Sequence, residues 1–366
     1  MAGITRRDVL KTAGSAIAAL PAVRAMGGAP VLALRQTAPA PNPHGKLGLG
    51  GAPTGFGARS RANAAATPPV DFIDWCHSIG LGGAEVRLPP TDPAEIAKLR
   101  ARLESYQMRV TFDFPLPKSD AEIPQFDTLV KAARDVGATG IRAALTQRRY
   151  EQFDSFAAFK ENFEMNKALV ARAEPTLRKY RVPLMLENHK GWRSAEQAAW
   201  LKALGSEYVG VLFDFGNNVA LCEDPAQTLD TLLPYIKSCH IKDMSVKPYE
   251  DGFLLAEVPL GDGFLDLKAM VARIRQKDPT IGFNLEMISR EPLKIPIFTE
   301  KYWVTYDDSY SPFPARDLAK TFKFVNRNPP KKPMPTTAGM SAADQLKQED
   351  ENNRLSIEWA RKNLEM

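Results

Sequence analysis

Glu187, Asp214, His240 and Glu286 each close a short apolar run: Leu184-Met185-Leu186-Glu187, Val211-Leu212-Phe213-Asp214, Ile236-Lys237-Ser238-Cys239-His240 and Ile281-Gly282-Phe283-Asn284-Leu285-Glu286. Three carboxylates and an imidazole, completed by water, suit a borderline or hard divalent ion. Each residue alone has an ordinary reading. A Glu at a strand end is commonly salt-bridged, an Asp ahead of a Gly is commonly a turn residue, and a lone His is commonly a hydrogen-bonded one. The set carries the meaning, because a parallel barrel gathers its strand C-termini on one face. Spacings of 27 residues (187 to 214) and 26 residues (214 to 240) each fit one strand–helix unit.

The elements that would position these residues follow from the apolar runs. Strands are expected at Lys46–Gly50, Gly83–Leu88, Arg109–Phe114, Thr139–Ala144, Val182–Asn188, Tyr208–Phe215, Ile236–Ile241 and Ile281–Met287. Between them lie helical patterns, such as Pro93–Tyr106 with Ile96, Leu99 and Leu103, and Phe153–Tyr180. Eight strands alternating with helices predict a (β/α)₈ TIM barrel over 46–327. Two insertions, Lys242 to about Asp266 and Ile288 to about Pro314, would be loops on the catalytic face. The second is aromatic, with Phe298, Tyr302, Trp303, Tyr306, Tyr310 and Phe313. Ala315–Val325 is expected as the last barrel helix. The remaining 328–366 is a Pro-rich linker and a C-terminal helical extension, with a capping box at Ser341–Asp344. That extension could pack on the barrel, reach a second subunit in a homo-oligomer, or hang free.

The order Glu, Asp, His, Glu on strands five to eight resembles the xylose isomerase-like TIM barrels. That group includes ketose 3-epimerases, hydroxypyruvate isomerases, inosose dehydratases and endonuclease IV. The likeness covers roughly Gly45 to Val325 and rests on Leu186-Glu187-Asn188-His189, Asp214-Phe215-Gly216-Asn217 and His240-Ile241-Lys242-Asp243. It implies that Glu187, Asp214, His240 and Glu286 hold one divalent ion, with Mn²⁺ favoured over Mg²⁺, Co²⁺ or Zn²⁺. It also implies that Glu187 and Glu286 are catalytic. One would remove a proton alpha to a carbonyl, the other would return it, and the ion would stabilise the enediolate.

Around that core, His189, Lys242, Glu85, Arg290 and Trp303 are expected to bind a small carbohydrate substrate. Asp243 is expected to orient His240 or Lys242. Two departures narrow the likeness. The chain has only four histidines, His44, His77, His189 and His240, too few for the three-metal cluster of endonuclease IV. Asn217 stands where several ketose epimerases carry His. The expected activity is therefore a metal-dependent sugar isomerase or epimerase. A lyase or dehydratase eliminating a beta substituent from a keto-sugar or 3-keto-glycoside shares its first step. A non-catalytic, metal-pinned carbohydrate-binding barrel is the alternative from a different class.

Composition sets the remaining bounds. The 366 residues are 44% hydrophobic and 25% charged, as in ordinary globular proteins. The net charge of +5 is concentrated at the N-terminus: outside residues 1–25, 44 basic residues face 42 acidic ones. That near balance gives no electrostatic case for nucleic acid as a partner. Thr5-Arg6-Arg7-Asp8-Val9-Leu10-Lys11, followed by a weakly apolar stretch and Val23-Arg24-Ala25, resembles a bacterial twin-arginine signal peptide over 1–25. A linker over 26–45 follows. This reading predicts export of the folded protein to the periplasm or beyond, without stable membrane insertion. Three cysteines, with no CxxC spacing, predict no disulfide framework.

Overall fold

The computed structural model describes residues 48–306 and 314–366. The export motif and the linker lie outside the described residues, as do Tyr310 and Phe313 of the aromatic insertion.

Eight parallel strands close a barrel. They are β1 (Gly50–Gly51), β2 (Gly83–Arg87), β3 (Arg109–Asp113), β4 (Gly140–Ala143), β5 (Leu184–Glu187), β6 (Val209–Asp214), β7 (Ile236–Ile241) and the short eighth strand Phe283–Leu285. Two further strands precede that one in sequence, so it is β10. Each predicted strand is present within a few residues. The first is the exception in kind: among the described residues only Gly50 and Gly51 pair, with Asn284 and Leu285 on one side and Gly83 and Ala84 on the other. The reason is steric. Arg109 fills the base of the barrel, donating to Gly48 O at 2.6 Å, to Asn284 Oδ1 at 3.0 Å and to Phe283 O. A Cβ at Gly83 or Gly282 would lie 2.6 Å from its side chain. Glycines there exchange strand propensity for room to bury one guanidinium.

Helices cover the barrel. Two of them start at Asp-Pro pairs, Asp92-Pro93 and Asp224-Pro225, in which the carboxylate accepts two backbone N–H groups and Pro occupies the first turn. The first catalytic-face insertion is not a loop. It folds as a hairpin of β8 (Asp243–Tyr249) and β9 (Gly252–Val258), and β11 (Leu293–Ile295) from the second insertion adds antiparallel to β9. Val246, Phe253, Leu255 and Ile295 bury a second apolar core with Tyr302. Period-two apolar residues hidden among charged ones explain why this sheet reads as loop in sequence.

The end of the chain also differs from expectation. The helix Pro314–Arg327 packs against β8, with Phe324 edge-on to Phe264, rather than closing the barrel's helix layer. The C-terminal helix Ala342–Leu364 takes that place, between the helix Gly57–Ala65 and the helix Leu267–Lys277. Ser341 caps it as the sequence predicts, accepting Asp344 N–H at 3.2 Å. Ile357, Ala360 and Leu364 join the main core. Glu349 accepts the N–H groups of Ala58 and Arg59 at 2.8 and 2.7 Å, and so caps a helix nearly 300 residues earlier. The extension is thus stitched to the barrel. Among the described residues no helix is long and apolar enough to cross a membrane.

Candidate metal centre

β5, β6, β7 and β10 are successive neighbours in the barrel, and their C-terminal ends bring Glu187, Asp214, His240 and Glu286 together. One potential ligand atom from each lies within 4.8 Å of all the others. All four are buried, from 0% exposure for His240 to 6% for Glu187.

Neighbouring side chains hold most of the ligand atoms and leave one carboxylate oxygen of Asp214 open. Asp214 Oδ2 accepts from Asn217 Nδ2 at 2.5 Å and pairs with Lys242 Nζ at 2.8 Å, while Oδ1 is buried without a partner. His240 Nε2 lies 2.9 Å from Glu85 Oε2, and its Nδ1 has only a long 3.5 Å contact, to Glu286 Oε1. Glu187 Oε2 is held by Arg142, and its Oε1 meets the Asn217 amide at a loose 3.4 Å. Glu286 Oε2 accepts from Lys242 at 2.6 Å and Oε1 from Thr54 at 2.6 Å. Asp214 Oδ1, buried with no partner, is costly in a dry interior unless something binds it. The donor set therefore fits one divalent ion. The carboxylate–histidine contact through Glu85 is the usual way such an imidazole is aimed.

Charge points the same way. Burial by itself would raise the Glu187 carboxyl, but Arg142 overrides it and holds it down to about 2. Burial also opposes ionisation of Glu286, and Lys242 and His240 hold it well below the usual carboxylate range. Asp214 differs: burial raises it well above that range despite Lys242, with Glu286 and Glu187 adding to the rise. Arg142 and Lys242 balance Glu187 and Glu286, and Asp214 is left resisting its charge, which a divalent cation among the three acids would relieve.

The other expected residues divide into those that meet this centre and those that do not. Lys242 is fully inside it. Glu85 is inside too, spent on His240 and lying 3.6 Å from Arg142. His189 sits beside Glu187 on a small cavity lined also by Thr146 and Trp192. Burial, then the charge of Lys190, push its imidazole down to about 4, and Nδ1 has no partner. Arg290 is paired with Glu257 of β9 at 2.6 Å, one remove from the four ligands. Trp303 is bound into its own loop: its indole N–H donates to Ile297 O at 2.9 Å and its ring packs on Tyr302 and Tyr306. Asp243 orients neither His240 nor Lys242. Its carboxylate accepts the N–H groups of Met244, Gly261, Gly263 and Leu265, pinning the hairpin's return. Gly263 is required there, since a Cβ would sit 2.0 Å from Asp243 Oδ1.

Three participants escape sequence reasoning. Arg142 of β4 ties Glu187, Asp113 and Glu85 together, and its signal was an arginine inside an apolar strand. Glu257 comes from a hairpin not expected to exist. Lys190, 2% exposed, donates to Asn217 Oδ1 at 2.5 Å. A roomier cavity of about 360 Å³ lies away from this chemistry, between Cys222–Thr228 and the helix Pro314–Arg327.

A closed parallel barrel with a buried Glu/Asp/His/Glu cluster at its C-terminal face defines a class of metal-site barrels. The chain belongs to the xylose isomerase-like TIM barrel family, whose model matches residues 73–304. It is 22% identical over 210 residues to the uncharacterized protein YihM of Escherichia coli (strain K12), covering 56% of this chain and 62% of that one. It is 29% identical over 121 residues to a 3-oxo-isoapionate decarboxylase of Pectobacterium atrosepticum, covering 32% and 44%. The matched stretch spans less than two thirds of either curated relative. A crystal structure of D-psicose 3-epimerase in the presence of D-fructose shares the fold, with a TM-score of 0.51 and 15% identity over 87% of this chain and 99% of that one.

Proposed function

We propose that the protein is a divalent-metal-dependent sugar isomerase or epimerase that moves a proton on a carbon next to a carbonyl. The observation that carries this reading is the convergence of the four candidate ligands with Asp214 Oδ1 left open. When bound, a divalent ion supplies Lewis acidity, polarising the carbonyl and making the neighbouring C–H acidic. Glu187 and Glu286 stand at the two ends of the ligand row, on β5 and β10. Arg142 and Lys242 keep both ionised, so either can accept a proton. Lys242 also lies close enough to Asp214 and Glu286 to hand a proton to an oxygen held beside them. The buried surroundings exclude water, which strengthens every one of these interactions.

The similarity to a 3-oxo-isoapionate decarboxylase favours a second reading, a lyase in which the same carbonyl drives loss of a substituent. Mn²⁺ as the resident ion, and export by the twin-arginine route from the Thr5–Lys11 motif, belong to the proposal as well.

The test is proton exchange followed by NMR in D₂O, with Mn²⁺-loaded protein and a panel of ketoses, aldoses, keto-sugar acids and 3-keto-glycosides. Deuterium beside a carbonyl together with an epimer or isomer is the expected result. Exchange with release of water or an aglycone assigns the lyase. No exchange across the panel, with the ion bound, refutes the isomerase reading.

A further inference from the structure

Lys190 is a cation without an anion. Its side chain is buried at 2% exposure, and its hydrogen bond goes to a neutral amide oxygen, Asn217 Oδ1, at 2.5 Å. Among the described residues no carboxylate reaches ion-pair distance of its ammonium group. Its charged surroundings are Lys242 and Arg290, two further cations, with Glu257 and Asp214 as the nearest counter-charges. Those two carboxylates are already engaged, Glu257 by Arg290 at 2.6 Å and Asp214 by Lys242 at 2.8 Å. Buried charges in proteins are paired, because an unpaired one forfeits its hydration for nothing. A divalent ion at the four ligands makes matters worse for Lys190, since it adds positive charge nearby. The ammonium group also has donors to spare, three against one acceptor.

Position matters as much as charge. Asn217 links Lys190 to the ligands: its oxygen accepts from Lys190 and its nitrogen donates to Asp214 at 2.5 Å. A substrate whose carbonyl sits at the four ligands therefore has Lys190 one amide away. We propose that Lys190 receives a carboxylate of the substrate, so that the enzyme acts on a keto-sugar acid and not on a neutral sugar. This rests on the reading of the four ligands as the carbonyl site. A carboxylate matches the single uncompensated ammonium charge and its free N–H donors. A phosphate dianion brings one charge too many.

The experiment is calorimetric binding to the Mn²⁺-loaded full chain, which does not depend on turnover. 2-Keto-D-gluconate and D-fructuronate are each compared with D-fructose, the neutral ketose with the same carbonyl, and with D-fructose 6-phosphate. At least one acid is expected to bind about tenfold or more tighter than D-fructose, the scale of one charge-assisted hydrogen bond. Lys190→Met is expected to abolish that preference while keeping the metal stoichiometry, and Lys190→Arg to keep most of it. The ligand-free Met variant is expected to melt no lower than wild type, since it removes an unpaired buried charge. Equal binding of acids and D-fructose, tighter binding of the phosphate, or an acid preference surviving in Lys190→Met overturns the inference. Absence of acid binding to the wild type does so too. Lys190-dependent acid binding without deuterium exchange would leave this inference standing and refute the enolising function instead.

Discussion

Glu85 offers a sharp test of the metal centre because it touches no ion itself. Its Oε2 lies 2.9 Å from His240 Nε2, both side chains are at most 1% exposed, and the contact leaves Nδ1 facing the other ligands. Loss of such an orienting partner typically weakens metal binding about 10–100-fold, or about 1.4–2.8 kcal/mol. Glu85→Gln keeps a neutral acceptor and should sit near the lower figure. Glu85→Ala also strips one counter-charge from Arg142, 3.6 Å away, and should sit near the upper. Competition with a fluorescent chelator for Mn²⁺ measures both.

Proton release gives a second readout. In the ion-free cluster burial favours a neutral His240, but Glu85 and Glu286 outweigh it and raise the imidazole well above its ordinary value. Binding an ion requires the neutral ring. Binding therefore releases a proton, and affinity falls as pH falls. Glu85→Gln removes one of the two carboxylates holding that proton, so fewer protons should appear in calorimetry run in buffers of different ionisation enthalpy. An affinity for Glu85→Ala within twofold of wild type, at full stoichiometry, would refute the assignment of His240 as an aimed ligand.

Other perturbations follow from the same contacts. Asp214→Ala removes the carboxylate whose Oδ1 is unpartnered and should lose the ion outright, seen as metal content after gel filtration. Glu286→Gln should keep the fold and abolish deuterium exchange, and retained turnover would remove it from the acid–base pair. Glu349→Ala deletes the acceptor for Ala58 and Arg59 N–H and should cost about 1–2 kcal/mol in urea unfolding, the value of a lost helix cap. Burial, then Lys242, lower the Lys190 ammonium to about 8, so the unfolded chain binds this proton more tightly than the folded one. Ion-free wild type should therefore gain stability between about pH 8 and pH 10.5, where the folded lysine is neutral and the unfolded one is not. Lys190→Met should lack that rise in chemical denaturation.

Much of the fold was legible because a barrel strand buried on both faces writes itself as an apolar run. The four candidate ligands stood out because each ends such a run, and the fold brings them together. β8, β9 and β11 were not: Lys247, Lys294 and Glu257 interrupt their apolar pattern, and β11 pairs with β9 across about 40 residues, which leaves no local mark. The eighth helix position was misassigned to Ala315–Val325 for a related reason. Two amphipathic helices compete for it, and only packing decides that Ile357 and Leu364 win.

The sequence by itself determined the element order, the closed-barrel class and the four metal-type side chains, since these follow from local periodicity and position along strands. Tertiary structure alone decided how each of these side chains is held and that Asp214 Oδ1 is left open. It also decided that Glu85 serves His240 and that Asp243 serves a hairpin. Those outcomes depend on distances between residues up to 155 positions apart, such as Glu85 and His240, and no local propensity encodes them. Lys190 shows the difference most plainly: in sequence it is one more lysine in a loop, and in the folded chain it is a buried charge waiting for a partner.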